Sequence, residues 1–138
     1  MQKNTFAAVY LAALYMKDFE QCMEDEWLAI VPVDLLVEPT FLQAMQQLPE
    51  KAMQYDAEMA LLGITPTYNA PQYGYIETAS EKVEPQICYI QQFNEKPSTE
   101  VAKQLIHQGA LWNSGVFVFQ IKTLLQVLRE FSLPLHYE

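Results

Sequence analysis

Two short polar clusters carry the side chains best suited to chemistry: Glu95-Lys96 and Asn113-Ser114, each attached to an apolar, strand-like run. A lysine is a strongly hydrated point charge on a flexible stem, suited to a phosphate whose position changes during reaction. Pro97 stiffens the turn that presents Lys96. The Glu95 carboxylate can accept hydrogen bonds from hydroxyl groups, and the Asn113 amide can both donate and accept. A further candidate is Asp34, which ends an apolar run over residues 27–33. Ligands of open α/β sheets gather beyond the carboxyl ends of strands, where a lone carboxylate is placed to hold a metal ion. Plainer readings stand beside these: Glu95 and Lys96 as a solvated surface pair, Asp34 as a turn residue or the cap of a following helix.

The elements that position these groups follow from residue pattern. Ile87, Tyr89, Ile90 and Phe93 favour a strand, and Pro97, with no N–H to donate, stops its ladder. Glu95 and Lys96 are therefore expected at a strand's exit. Ser98 as N-cap, Glu100 in the first turn, Val101, Ala102, Leu105 and Ile106 at helical spacing, and Gly109 after the last turn together predict a short helix. Residues 111–119 return as a strand interrupted at Asn113-Ser114-Gly115, a polar break that would be costly in a plain core strand unless something binds to it. The crossover helix would bring the second cluster back beside the first.

Earlier in the chain, Val9, Tyr10, Ala13 and Leu14 give residues 5–19 an apolar helical face, with Asn4 or Thr5 as its cap. Residues 27–33 read as a strand covered on both faces. Residues 39–55 read as a helix with Phe41, Leu42, Met45 and Leu48 inward, broken or restarted at Pro49. A strand over 59–64 is followed by another at 73–76, in which Gly74 marks either a bulge or a close approach of backbone to a ligand. An amphipathic helix over 121–131 closes the pattern. The order α-β-α-β-β-β-α-β-α predicts an α/β sandwich of two or three layers.

With 138 residues, 51% of them hydrophobic, the chain reads as one globular domain able to bury roughly two-thirds of its unfolded surface. A net charge of −9 argues against a nucleic-acid surface, which needs clustered lysine and arginine. Free nucleotides stay compatible, because a divalent ion held by carboxylates supplies positive charge. Cys22 and Cys88 have neither metal-ligand spacing nor a disulfide framework, which fits a reducing cytoplasm. The apolar run over 5–16 is too short to span a bilayer and lacks a cleavage pattern, so no membrane partner is expected.

Phe93-Asn94-Glu95-Lys96-Pro97, the helix after it and Leu111-Trp112-Asn113-Ser114-Gly115-Val116-Phe117 resemble the sugar-1-phosphate nucleotidyltransferases, most closely the mannose-1-phosphate guanylyltransferase branch. Asn4-Thr5, Val31-Pro32-Val33-Asp34, Gly63-Ile64-Thr65-Pro66-Thr67 and Tyr73-Gly74-Tyr75-Ile76 match in the same order. The resemblance implies a Rossmann-like three-layer α/β/α nucleotidyltransferase fold, with residues 1–138 forming a single partial catalytic domain. It implies that Lys96 holds a sugar phosphate, that Glu95 and Asn113 bond sugar hydroxyls, and that the Gly74 backbone meets the sugar. By the same resemblance Asp34 coordinates Mg2+ and Asn4 and Thr5 lie near the nucleotide. The implied substrates are mannose 1-phosphate and GTP, and the products GDP-mannose and pyrophosphate.

Two departures qualify those expectations. The family's glycine-rich, arginine-containing triphosphate loop has no counterpart among the chain's four glycines, so the fold is expected to be truncated at its N-terminal nucleotide-loop strand and the isolated chain to be inactive. Val33 and Leu35 flank Asp34 where relatives carry polar neighbours, so the match there is to the carboxylate alone. An unpaired strand edge beside residues 27–33 would admit a second copy, making a homo-oligomer. A non-catalytic interaction or regulatory module built on the same scaffold is the alternative reading.

Overall fold

In a computed structural model, which describes residues 5–18 and 20–130, the elements follow in the order the sequence pattern predicts. They are α1 (Thr5–Asp18), β1 (Trp27–Ile30), α2 (Pro39–Gln54), β2 (Met59–Ile64), β3 (Gly74–Glu84), β4 (Ile87–Glu95), α3 (Thr99–His107), β5 (Leu111–Gln120) and α4 (Ile121–Glu130). The fold is mixed α/β, as expected. Its hydrogen-bonded strand order is β1-β5-β3-β4, with β2 also paired to β5, and the β1–β5, β3–β4 and β3–β5 pairings are antiparallel. The chain forms two compact units, one of residues up to Ala60 with those from Val116 onward, the other Leu61–Gly115.

In the first unit β1 runs against the end of β5, from Trp27↔Gln120 to Ile30↔Phe117. Ala13, Phe119 and Leu124 form the core, with Val9, Leu28, Ile30 and Phe117 packed on it. The expectation of a doubly covered strand over 27–33 is corrected here. The strand ends at Ile30, Pro32 has no N–H with which to extend the ladder, and Val33 is fully exposed. The expected break at Pro49 is also absent. A proline inside a helix costs about 3 kcal/mol, yet α2 continues, because Phe41, Met45, Leu48 and Ala52 keep an at least half-buried stripe at helical spacing across it. Leu42, expected inward, falls off that stripe and is exposed. The predicted last residue of the closing helix, Phe131, lies outside the described residues.

The second unit is built on the β3–β4 hairpin, paired from Gly74↔Glu95 through Glu84↔Ile87. β3 also pairs with the start of β5 through Tyr75↔Trp112 and Ile76↔Leu111. Ala70, Tyr75, Ala102, Leu105, Ala110 and Trp112 make its core. Tyr75 brings a hydroxyl into that core, where it donates to the Ala70 carbonyl and accepts from the Ala70 N–H, both at 3.2 Å. A buried hydroxyl without partners would be costly, and these two bonds also fasten the loop before β3. Helix α3 starts as predicted: Ser98 Oγ accepts from the Val101 N–H at 3.3 Å. It stops at Gly109, whose φ of +85° suits glycine alone. The predicted interruption at Asn113-Ser114-Gly115 is a distortion within a continuous β5 and not a break.

Candidate functional site

Register in the second unit brings three of the predicted residues onto one strand face. Gly74 pairs with Glu95, and because Tyr75 pairs with Trp112, the next pair along places Asn113 beside Gly74. A Cβ built on Gly74 would lie 2.7 Å from Glu95 Oε2 and 3.5 Å from Asn113 Cβ. A side chain here would displace the Glu95 carboxylate, which occupies the volume it would fill. No bulge is present at Gly74 itself; the register shifts of β3 begin after Glu77.

Lys96 follows directly. Its φ is +46°, a left-handed conformation that costs an L-residue about 1–2 kcal/mol. Such strain persists where the surroundings impose it, and it is often found where a side chain must be aimed. Here it lies between the strand exit and Pro97. The Lys96 ammonium is 3.8 Å from Glu95 Oε1, with the two side chains 69% and 71% exposed. So exposed a pair adds little stability, and both charges stay accessible to a ligand.

Asn113 is half-buried, and its Oδ1 accepts from the Gly115 N–H at 3.0 Å. Gly115 has a φ of +76°, so the amide fixes a kink that only glycine adopts cheaply. The polar break is explained by that bond, which uses the amide oxygen and leaves the amide NH2 for another acceptor. One turn beyond Lys96, the Glu100 carboxylate is held below its ordinary value, first by the N–H of its own backbone and then by the Ser98 hydroxyl. Lys103 adds to this and partial desolvation opposes it.

An aromatic cluster not foreseen from the sequence backs the site. Tyr68 and Tyr73 meet Trp112 edge-on, with ring centroids 4.9 and 5.1 Å away, and the Tyr68 hydroxyl donates to that of Tyr73 at 3.2 Å. That bond raises the Tyr68 pKa. The rings anchor the residue before Gly74 and the residue before Asn113. The signal was present as tyrosines at 68, 73 and 75 around Pro71, but one strand alone does not reveal which rings meet. Trp112 itself is core. A 240 Å³ cavity of this unit, between the loop carrying Thr67 and Asn69 and the α3 residues Lys103 and His107, touches none of the four site residues.

Asp34 belongs to the first unit, in an exposed turn with Val33. It does not cap α2, whose N-cap position is Glu38. Among the described residues no group of three or more His, Cys, Asp or Glu side chains gathers to hold a metal. Asp34 therefore offers one carboxylate. That donor set suits a magnesium carried in by phosphates, because this ion keeps several waters and takes only one or two carboxylates. Asn4 and the side chain of Thr5 lie outside the described residues.

Comparison with known proteins gives consistent matches. The family model described as nucleotidyl transferase matches residues 1–133. The chain is 34% identical over 131 residues to a mannose-1-phosphate guanylyltransferase of Sinorhizobium fredii, covering 93% of this chain and 25% of the relative. It is 30% identical over 138 residues to the alginate biosynthesis protein AlgA of Pseudomonas aeruginosa, covering 97% and 28%. Among solved structures, a Thermus thermophilus protein described as a mannose-1-phosphate geranyltransferase superposes with a TM-score of 0.79 at 29% identity, over 94% of this chain and 37% of that one. The chain thus spans about a quarter of the length of the curated relatives it matches.

Proposed function

Because the chain belongs to the nucleotidyl transferase family, we propose that the face formed by Gly74, Glu95, Lys96 and Asn113 binds a sugar 1-phosphate for nucleotidyl transfer. Its substrates would be mannose 1-phosphate, which the names of relatives at 32–34% identity contain, and GTP, with GDP-mannose and pyrophosphate as products. One observation carries this reading: an accessible lysine, a carboxylate and an amide converge around a glycine that cannot be enlarged without moving the carboxylate. Lys96 would hold the phosphate. Glu95 would accept from sugar hydroxyls and the free NH2 of Asn113 would donate to one.

In the reaction a phosphate oxygen of the sugar 1-phosphate forms a bond to the α-phosphorus of the nucleotide as the bond to pyrophosphate breaks. Catalysis of this kind is mainly positioning and charge neutralisation. Magnesium, when bound, would neutralise charge on the nucleotide's phosphate oxygens, with Asp34 as its protein ligand. This chain's own part is to fix the attacking phosphate through Lys96 and the sugar through Glu95 and Asn113. Its four glycines form no glycine-rich loop for a triphosphate, so the isolated chain is expected to bind sugar phosphate and to turn over poorly. The free thiols Cys22 and Cys88 suit a cytoplasmic setting. Among the described residues no helix is long and apolar enough to cross a membrane.

Calorimetric titration with mannose 1-phosphate, and separately with GTP and magnesium, tests the reading. Sugar-phosphate binding that disappears in Lys96→Ala supports it. A folded chain that binds neither ligand would return the scaffold to a non-catalytic interaction module.

A further inference from the structure

Phe93 lies within β4, two residues before its end, yet it is 47% exposed, while Ile76, its partner across the pair, is 1% exposed. Alternate residues of a strand share a face, so Phe93 lies on the side that carries Glu95. The pairings Gly74↔Glu95 and Ile76↔Phe93 put Gly74 there too, and the β3–β5 register adds Asn113. Glu77 pairs with Gln92 and Thr78 with Ile90, leaving Gln91 as an extra residue. This bulge switches the alternation, and Ile90, 39% exposed, returns to the same face. Apolar surface therefore continues from the polar site along β4. Phe93 is a diagonal neighbour of Gly74 across the pair, and at about 7–8 Å such neighbours are within reach of an aromatic ring.

We propose that Phe93 is a specificity-determining residue of this site, an apolar platform for the C–H face of the sugar ring. A pyranose carries hydroxyls around its rim and weakly positive C–H groups on its faces, and the face of an aromatic ring is its negative pole. Glu95, Asn113 and Lys96 supply polar contacts, and Phe93 adds an apolar contact that a sugar phosphate can use and inorganic phosphate cannot. The inference rests on the sugar-phosphate reading above.

The test titrates the chain with mannose 1-phosphate and with inorganic phosphate, in the wild type, Phe93→Leu and Phe93→Tyr, with thermal melts confirming the fold. Phe93→Leu should weaken mannose 1-phosphate about fivefold and leave inorganic phosphate unchanged, while Phe93→Tyr stays within about twofold of wild type. Unchanged mannose 1-phosphate affinity in Phe93→Leu overturns the proposal, and so does an equal loss of both ligands. Absence of mannose 1-phosphate binding in the wild type is a separate result, which removes the functional reading itself and this inference with it.

Discussion

At Gly74 and Lys96 stability and binding are expected to part company. Gly74→Ala places a Cβ 2.7 Å from Glu95 Oε2, the end of a flexible, exposed side chain. The carboxylate can swing away cheaply, so stability should stay within about 1 kcal/mol of wild type in thermal melts while mannose 1-phosphate binding falls at least tenfold by calorimetry. Lys96→Gly relieves a left-handed conformation worth about 1–2 kcal/mol, partly offset by the entropy of an unfolded glycine. Urea unfolding should show a stability equal to or above wild type, with sugar-phosphate binding lost, a trade expected where strain serves a site. Lys96, Glu95 and Asn113 were legible in sequence because charged and amide residues interrupt apolar runs at strand ends. The φ of Lys96 was not, since a residue before proline is ordinarily extended. Nor was the bond from the Gly115 N–H to Asn113 Oδ1, for a polar break looks the same whether it serves a ligand or its own backbone.

Among the elements, α3 was the most legible, because caps are local: Ser98, Glu100 and Gly109 each act within a few residues. Its Glu100 also gives a pH prediction. A carboxylate whose pKa is lowered by folding stabilises the fold above its ordinary value of 4.5 and loses that contribution as pH falls through the lowered value. Thermal melts of wild type and Glu100→Gln should therefore differ at neutral pH and converge as pH drops below 4.5. A second prediction concerns the β2–β5 contact, where a Cβ on Gly63 would meet Leu111 Cδ1 at 2.6 Å and its Cβ at 3.0 Å. Gly63→Ala should destabilise by about 1–3 kcal/mol in urea unfolding, the cost of overpacking. The first unit was harder to read. Residues 27–33 are continuously apolar, but a strand's length is set by where its partner can follow, and β5 pairs with β1 only to Ile30. Pro49 misled in the opposite direction, since an apolar stripe carried the helix across it.

For the whole molecule, the order of elements and the α/β class were available from periodicity alone, whereas the pairing was not. Antiparallel contacts of β5 with both β1 and β3 are long-range choices that no local pattern encodes. Family membership came from short motifs in a fixed order, which the match over residues 1–133 bears out. Among the described residues β1 and β4 end the strand order, and the bulge at Gln91 interrupts the ladder of β4. The central claim is that a sugar 1-phosphate binds on one strand face of the second unit. Its most direct test is amide chemical-shift mapping of the isotopically labelled chain during titration with mannose 1-phosphate. The account predicts the largest shifts at Gly74, Glu95, Lys96 and Asn113, abolished by Lys96→Ala. Shifts centred instead on the cavity beside Lys103 and His107, or none at saturating ligand, would contradict it.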